Sequence, residues 1–134
     1  MVERLLIAGI LFGVGFAAYA WMRRQSLRQV AQITQRDSLL TDTRDGIPTV
    51  VYFTTPTCAP CQYAQKPALA KLKTELGEGI QVIQVDATEQ PDVAERWQVQ
   101  TVPTTFILDA DGAPRQVNYG VADFDTLKRQ IAAL

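Results

Sequence analysis

Residues 5–22 read Leu-Leu-Ile-Ala-Gly-Ile-Leu-Phe-Gly-Val-Gly-Phe-Ala-Ala-Tyr-Ala-Trp-Met, eighteen positions without a charge or a proline. A bilayer's hydrocarbon core is crossed by about 17–25 such residues in a helix. The run is therefore withdrawn from any soluble core that the rest of the chain can build. Tyr19 and Trp21 lie near one end, where amphipathic rings favour the membrane interface. Gly9, Gly13 and Gly15 weaken a helix in water but are common in membrane helices, and Gly9-x-x-x-Gly13 is a weak match to a close-packing face. A buried core helix of this length is out of proportion to a chain of 134 residues. A cleaved signal peptide is the other alternative, because Ala18-Tyr19-Ala20 has the small-x-small form. Against cleavage, Arg4 stands beside Glu3 ahead of the run, whereas Arg23 and Arg24 follow it at once. The expectation is a single-pass anchor over residues 1–22, inserted through residues 5–22. Arg4 and the amino terminus face Arg23, Arg24, Arg28 and Arg36 across it. The positive-inside rule then places the C-terminal part on the cytoplasmic side, with the extracytoplasmic side as the alternative.

Residues 23–46 are polar, with Leu27, Val30, Ile33 or Thr34, and Leu39–Leu40 three to five positions apart. They read as a helical stalk that continues from the anchor, is solvated, and ends near the turn signal Asp45-Gly46. From Ile47 the periods change, and residues 47–134 form the soluble domain. Pro48 to Thr55 is β-branched and aromatic, the composition of a buried strand. Ala59 to Leu76 is helical, with Ala64, Ala68, Leu69, Leu72 and Leu76 as the apolar stripe. Ile80 to Val85 is a second strand, and Gln90 to Trp97 a short helix with Pro91 in its first turn. Thr104 to Leu108 is a third strand, followed by a turn at Asp109-Ala-Asp-Gly112 and a return strand from Arg115 to Tyr119. That Asp-x-Asp-Gly lacks the other ligands of a calcium loop and reads as a hairpin turn. Asp123 caps a last helix through Ala133. The order β-α-β-α-β-β-α is an α/β fold, with parallel strands through the alternating part and an antiparallel edge from the final hairpin.

Composition excludes several chemistries. There is no histidine, which removes Ser-His-Asp and Cys-His catalysis, histidine-ligated haem and Cys₂His₂ zinc. Two cysteines, Cys58 and Cys61, are too few for a Cys₄ metal site within one chain, so no metal is expected. A net charge of −1 argues against nucleic acid as a partner.

Cys58-Ala59-Pro60-Cys61 falls where the first strand hands over to the first long helix. A CxxC on one helical turn brings its sulfurs close enough for a disulfide. Unpaired N–H groups and the positive dipole end at a helix start stabilise a thiolate on Cys58. Pro60 lies in the first turn, where its missing N–H costs nothing. Cys58 is then the exposed nucleophile and Cys61 the buried resolving thiol. Three other assignments stay open at this point: a structural disulfide, half a zinc site shared with another chain, and two inert cysteines. A four-residue loop constrains little entropy, so the pair makes a poor staple.

Over residues 47–134 the chain resembles the thioredoxin family. The resemblance rests on strand-Cys58-Ala-Pro-Cys61-helix, Val85-Asp86 at a strand end, Val99-Gln-Thr-Val-Pro-Thr104, the following hairpin, and Gly120 before the last helix. It implies a thioredoxin-like fold, a mixed sheet of about four strands flanked by helices, here preceded by one transmembrane helix. It implies that Pro103 is a cis-proline opposite the CxxC, leaving the backbone of Val102 free to pair with substrate. Thr57, Ala59, Pro60 and Val102 then make up the substrate-binding surface. The sequence departs from the family in three places. The tryptophan before the first cysteine is Thr57. The buried aspartate that accepts a proton from the resolving thiol aligns with Tyr52, and its lysine partner with Val82. The helix proline falls one place late, at Pro67 rather than directly after Gln65, which reads as a shifted kink.

The function these features imply is disulfide exchange with protein clients by a membrane-tethered monomer. No nucleotide or flavin fingerprint is present and no cofactor is expected, so electrons come from another protein, such as a thioredoxin reductase or a membrane thiol transporter. The alternative is a thioredoxin-fold binding module in which the thiols are dispensable.

Overall fold

The computed structural model describes residues 1–34, 37–41 and 43–134. A first helix, α1, spans Val2–Thr34. It contains one stretch, Val2–Gln29, long and apolar enough to cross a membrane, and none of that stretch is buried inside the protein. The same length and composition fit a signal sequence. The expected stalk helix ends sooner than Asp45-Gly46, because Asp37 starts a new 3₁₀ turn at Ser38–Leu40. Its side chain accepts from Leu39 N–H at 3.0 Å. Arg36 lies outside the described residues, as do the side chains of Val30, Ile33 and Thr34.

Among the described residues four strands follow: β1 (Thr49–Thr54), β2 (Gln81–Asp86), β3 (Thr104–Leu108) and β4 (Pro114–Tyr119). They form one mixed sheet in the order β2-β1-β3-β4. β1 runs parallel to β2, with Tyr52 opposite Gln84, and antiparallel to β3, with Tyr52 opposite Thr105. β3 and β4 form the antiparallel hairpin, irregular at Ile107/Leu108. In its turn Asp109 accepts from the N–H groups of Asp111 and Ala113 at 2.9 Å each, and Arg115 Nε donates to it at 2.7 Å.

β3 was expected parallel to its neighbour, and the length of α3 (Pro91–Arg96) explains why it is not. Six residues of helix rise about 9 Å, whereas six residues of strand cover about 20 Å. The seven residues after α3, 97–103, form turns and bends rather than an extended run, so the connection does not return to the start of β1. It leaves β2 opposite Thr54 and enters β3 opposite Phe53, at the same end of the sheet.

Both faces of the sheet are covered, which is why β1 is buried at every position. On one face, α2 (Lys66–Leu76) and α4 (Phe124–Ala132) lay Leu69, Leu72 and Leu127 against Val50, Tyr52 and Ile107. On the other, α3 brings Val93, Ala94 and Trp97 onto Val51, Phe53, Val85 and Phe106. Trp97 packs edge-on to Phe106, with ring centroids 5.0 Å apart. Its indole N–H donates to Asp37 Oδ2 at 2.8 Å, and Arg96 spans both oxygens of that carboxylate at 3.3 Å. Burial opposes ionisation of Asp37 most strongly, yet the bonds from Leu39 N–H, Arg96 and Trp97 together hold its carboxyl below the ordinary value.

α3 ends on Gln98 at φ +57°. Val99 N–H donates to Ala94 O and Gln98 N–H to Glu95 O, the paired bonds of a Schellman ending, with glutamine where glycine is usual. Asp123 caps α4, accepting from Thr126 N–H at 2.8 Å.

Candidate active site

β1 delivers the chain to the rim of the sheet at Thr54, and Cys58 follows four residues later. Helix starts at Ala59 and passes through a π turn, Cys61–Gln65, into α2. Lys66 N–H reaches back to Cys61 O, so this turn holds one residue more than an α turn. That extra residue is the one-place delay of Pro67. It also reassigns the buried stripe to Cys61, Gln65, Leu69 and Leu72, while Ala64, expected on it, is exposed.

A disulfide joins Cys58 and Cys61, whose Cα atoms are 5.2 Å apart. Cys58 keeps 9% of its surface and Cys61 none. Cys58 is thus the more accessible sulfur, though less open than expected. Cys61 N–H points at Cys58 Sγ, 3.2 Å away, and Cys58 N–H is held by Thr55 O. A donor aimed at Sγ from a helix start favours negative charge there when the pair is reduced. Thr57, Ala59 and Pro60 are exposed around the pair. The Val102–Pro103 peptide is cis, with Pro103 buried and Val102 half-buried. Val102 packs against the same cluster as both cysteines, so the two segments meet at one rim. Pro103 O accepts from Gly120 N–H at 2.9 Å, and Gly120 sits at φ +87°, where side-chain-bearing residues are strained.

Tyr52 lies beneath the pair, fully buried, its hydroxyl donating to Cys61 O over a long 3.4 Å. Burial pushes the phenol further above its ordinary value. It is no base at neutral pH. Val82, opposite Val50 on β2, adds only apolar surface to that cluster.

Sequence reasoning missed Gln65. It is fully buried, its amide nitrogen donating to Ala122 O at 3.0 Å and its oxygen accepting from Ala122 N–H at 2.8 Å. Glutamine reads as a surface residue, but stepping back four places from Leu69 along the stripe would have found it.

A family model described as Thioredoxin matches residues 30–133. The chain belongs to the thioredoxin family. Among its relatives, chloroplastic thioredoxin Y of Oryza sativa subsp. japonica is 34% identical over 84 residues, 63% of this chain and 49% of the relative. The chain thus spans about half of that protein's length. A thioredoxin-like protein of Synechocystis sp. is 32% identical over 84 residues, 63% of this chain and 78% of that one. The solved structure of thioredoxin-2 of the malaria parasite superposes with a TM-score of 0.64, covering 69% of this chain and 87% of that one. At 21% identity that likeness shows the fold alone.

Proposed function

We propose that this member of the thioredoxin family is a thiol-disulfide oxidoreductase that exchanges disulfides with protein clients from a membrane tether formed by residues 5–22. The single observation carrying the chemistry is the Cys58–Cys61 pair, bonded across one turn at a helix start, with Cys58 keeping a little accessible surface and Cys61 none. In the reductive direction the Cys58 thiolate attacks a client disulfide, forms a mixed disulfide, and releases the first client thiolate. Cys61, as thiolate, then attacks Cys58 Sγ. The client leaves as a dithiol, two electrons richer, and the pair becomes the disulfide. A dithiol protein, of the thioredoxin-reductase or membrane-thiol-transporter class, returns those two electrons. Thr57, Ala59, Pro60 and Val102 form the surface on which the client lies.

The division into an anchor (1–22), a stalk (23–46) and a catalytic domain (47–134) belongs to this proposal. It is supported by the uncharged run in α1 and by the start of the sheet at Thr49. So does a cytoplasmic domain, supported by the arginines after the run. Insulin reduction with wild type and Cys58→Ser tests the chemistry: wild-type turnover with none in the variant is expected. Equal rates in both proteins would leave the binding-module alternative standing. Alkylation of Cys58 in intact, reduced cells by a membrane-impermeant maleimide reads the side, and labelling would overturn the cytoplasmic assignment.

A further inference from the structure

The 120–122 segment is tied at both ends to parts of the site. Gly120 N–H is bonded to Pro103 O, and Ala122 is bonded through both backbone groups to the Gln65 side chain. Gln65 sits one turn beyond Cys61 on the same buried stripe. Ala122 packs in the cluster that contains Cys58, Cys61 and Val102. Between the two ties stands Val121, an exposed apolar side chain, 47% accessible.

We propose that Gln65 is a positioning residue for client binding. Its amide pairs with Ala122 as a neighbouring strand would, and so locks the 120–122 segment to the helix that carries the cysteines. The apolar surface offered by Val121 and Val102 is thereby fixed relative to Cys58 before a client arrives. Three observations distinguish this from ordinary core filling. The partner is a loop rather than a strand or helix; both backbone groups of one residue are captured by one side chain; and the loop's other tie ends on Pro103. An apolar side chain at position 65 fills the space but leaves two buried backbone groups unpaired, and the loop shifts to reach water. Pre-organisation is lost, whereas the sulfur chemistry of the pair is left intact.

The inference rests on the disulfide-exchange reading, and steady-state kinetics with insulin as the protein disulfide separates the two. Gln65→Met, of similar length, is expected to raise KM about fivefold while kcat changes less than twofold. Gln65→Glu keeps an acceptor for Ala122 N–H and is expected to fall between Gln65→Met and wild type. Gln62→Ala, exposed on the same turn, is the control and leaves both constants unchanged. Wild type inactive towards insulin overturns the function itself. Wild type active, with a folded Gln65→Met that keeps its KM or loses kcat and kcat/KM in equal proportion, overturns only the positioning role. Should neither variant fold, hydrogen exchange of the wild-type Ala122 amide decides. Strong protection supports the clamp, and exchange at the rate of a free peptide refutes it.

Discussion

Asp37 lies well before the sheet begins, yet its carboxylate is the partner of a buried indole 60 positions along the chain. Replacing it with alanine should cost far more than its place in a polar connector suggests. The Asp37 side chain is only 1% exposed, and Trp97 is equally enclosed. Without the acceptor, the indole N–H has no partner, at about 1–3 kcal/mol. Loss of the cap on Ser38–Leu40 adds about 1 kcal/mol. The Arg96 pair adds little, because that side chain is 44% exposed and keeps Asp92 at 3.0 Å. The expected total for Asp37→Ala is about 2–4 kcal/mol. At roughly 1–3 kcal/mol per molar urea, the unfolding midpoint of the detergent-solubilised chain falls by one to a few molar. Asp37→Asn keeps an oxygen for only one of Trp97 and Leu39, which bond to different carboxylate oxygens, turns its amide N–H₂ towards the other and loses the charge, about 1–3 kcal/mol. The pH dependence has a definite sign. A carboxyl held below its ordinary value contributes stability that is fully present above the unfolded value near ~3.9. That contribution fades as pH falls through the folded-state value. The gap between wild type and Asp37→Asn should therefore close towards pH 3. An Asp37→Ala variant within about 0.5 kcal/mol of wild type, or an asparagine penalty equal at pH 3 and pH 7, refutes the reasoning.

Tyr52→Phe should change the insulin-reduction rate less than twofold between pH 6 and pH 8, because the lost hydrogen bond is long and the phenol stays neutral throughout. A tenfold fall would make Tyr52 the acid–base group of the pair. Gln98→Gly should raise stability by about 0.5–1 kcal/mol in urea unfolding, since glycine accepts the positive φ that glutamine holds at the end of α3. A loss of stability would mean that the glutamine side chain contributes more than its backbone costs.

What was legible in the sequence followed from local physics. β1 announced itself as a run of β-branched and aromatic residues because both its faces are buried. Asp123 was readable as a cap because capping needs nothing beyond the next three residues. The helix start at the cysteines was readable for the same reason. What escaped was long-range or disguised. Asp37 meets Trp97 only in the folded chain, so its connector read as solvated. The direction of β3 depends on residues 87–103 folding back to the end of the sheet they left, a path that periodicity does not weigh. Gln65 was hidden by its polarity, and Gln98 occupies a place where a glycine would have marked the helix end.

The brevity of α3 has a wider consequence. Since the chain leaves β2 and enters β3 at one end of the sheet, residues 87–103 have no span to bridge: Val93, Ala94 and Trp97 close one face of the sheet, and Val102 returns to the rim beside the cysteines. Changes of length at its exposed positions alter that end of the molecule without altering strand order. This stretch is where relatives of this protein can diverge in the company they keep while inheriting the same sheet.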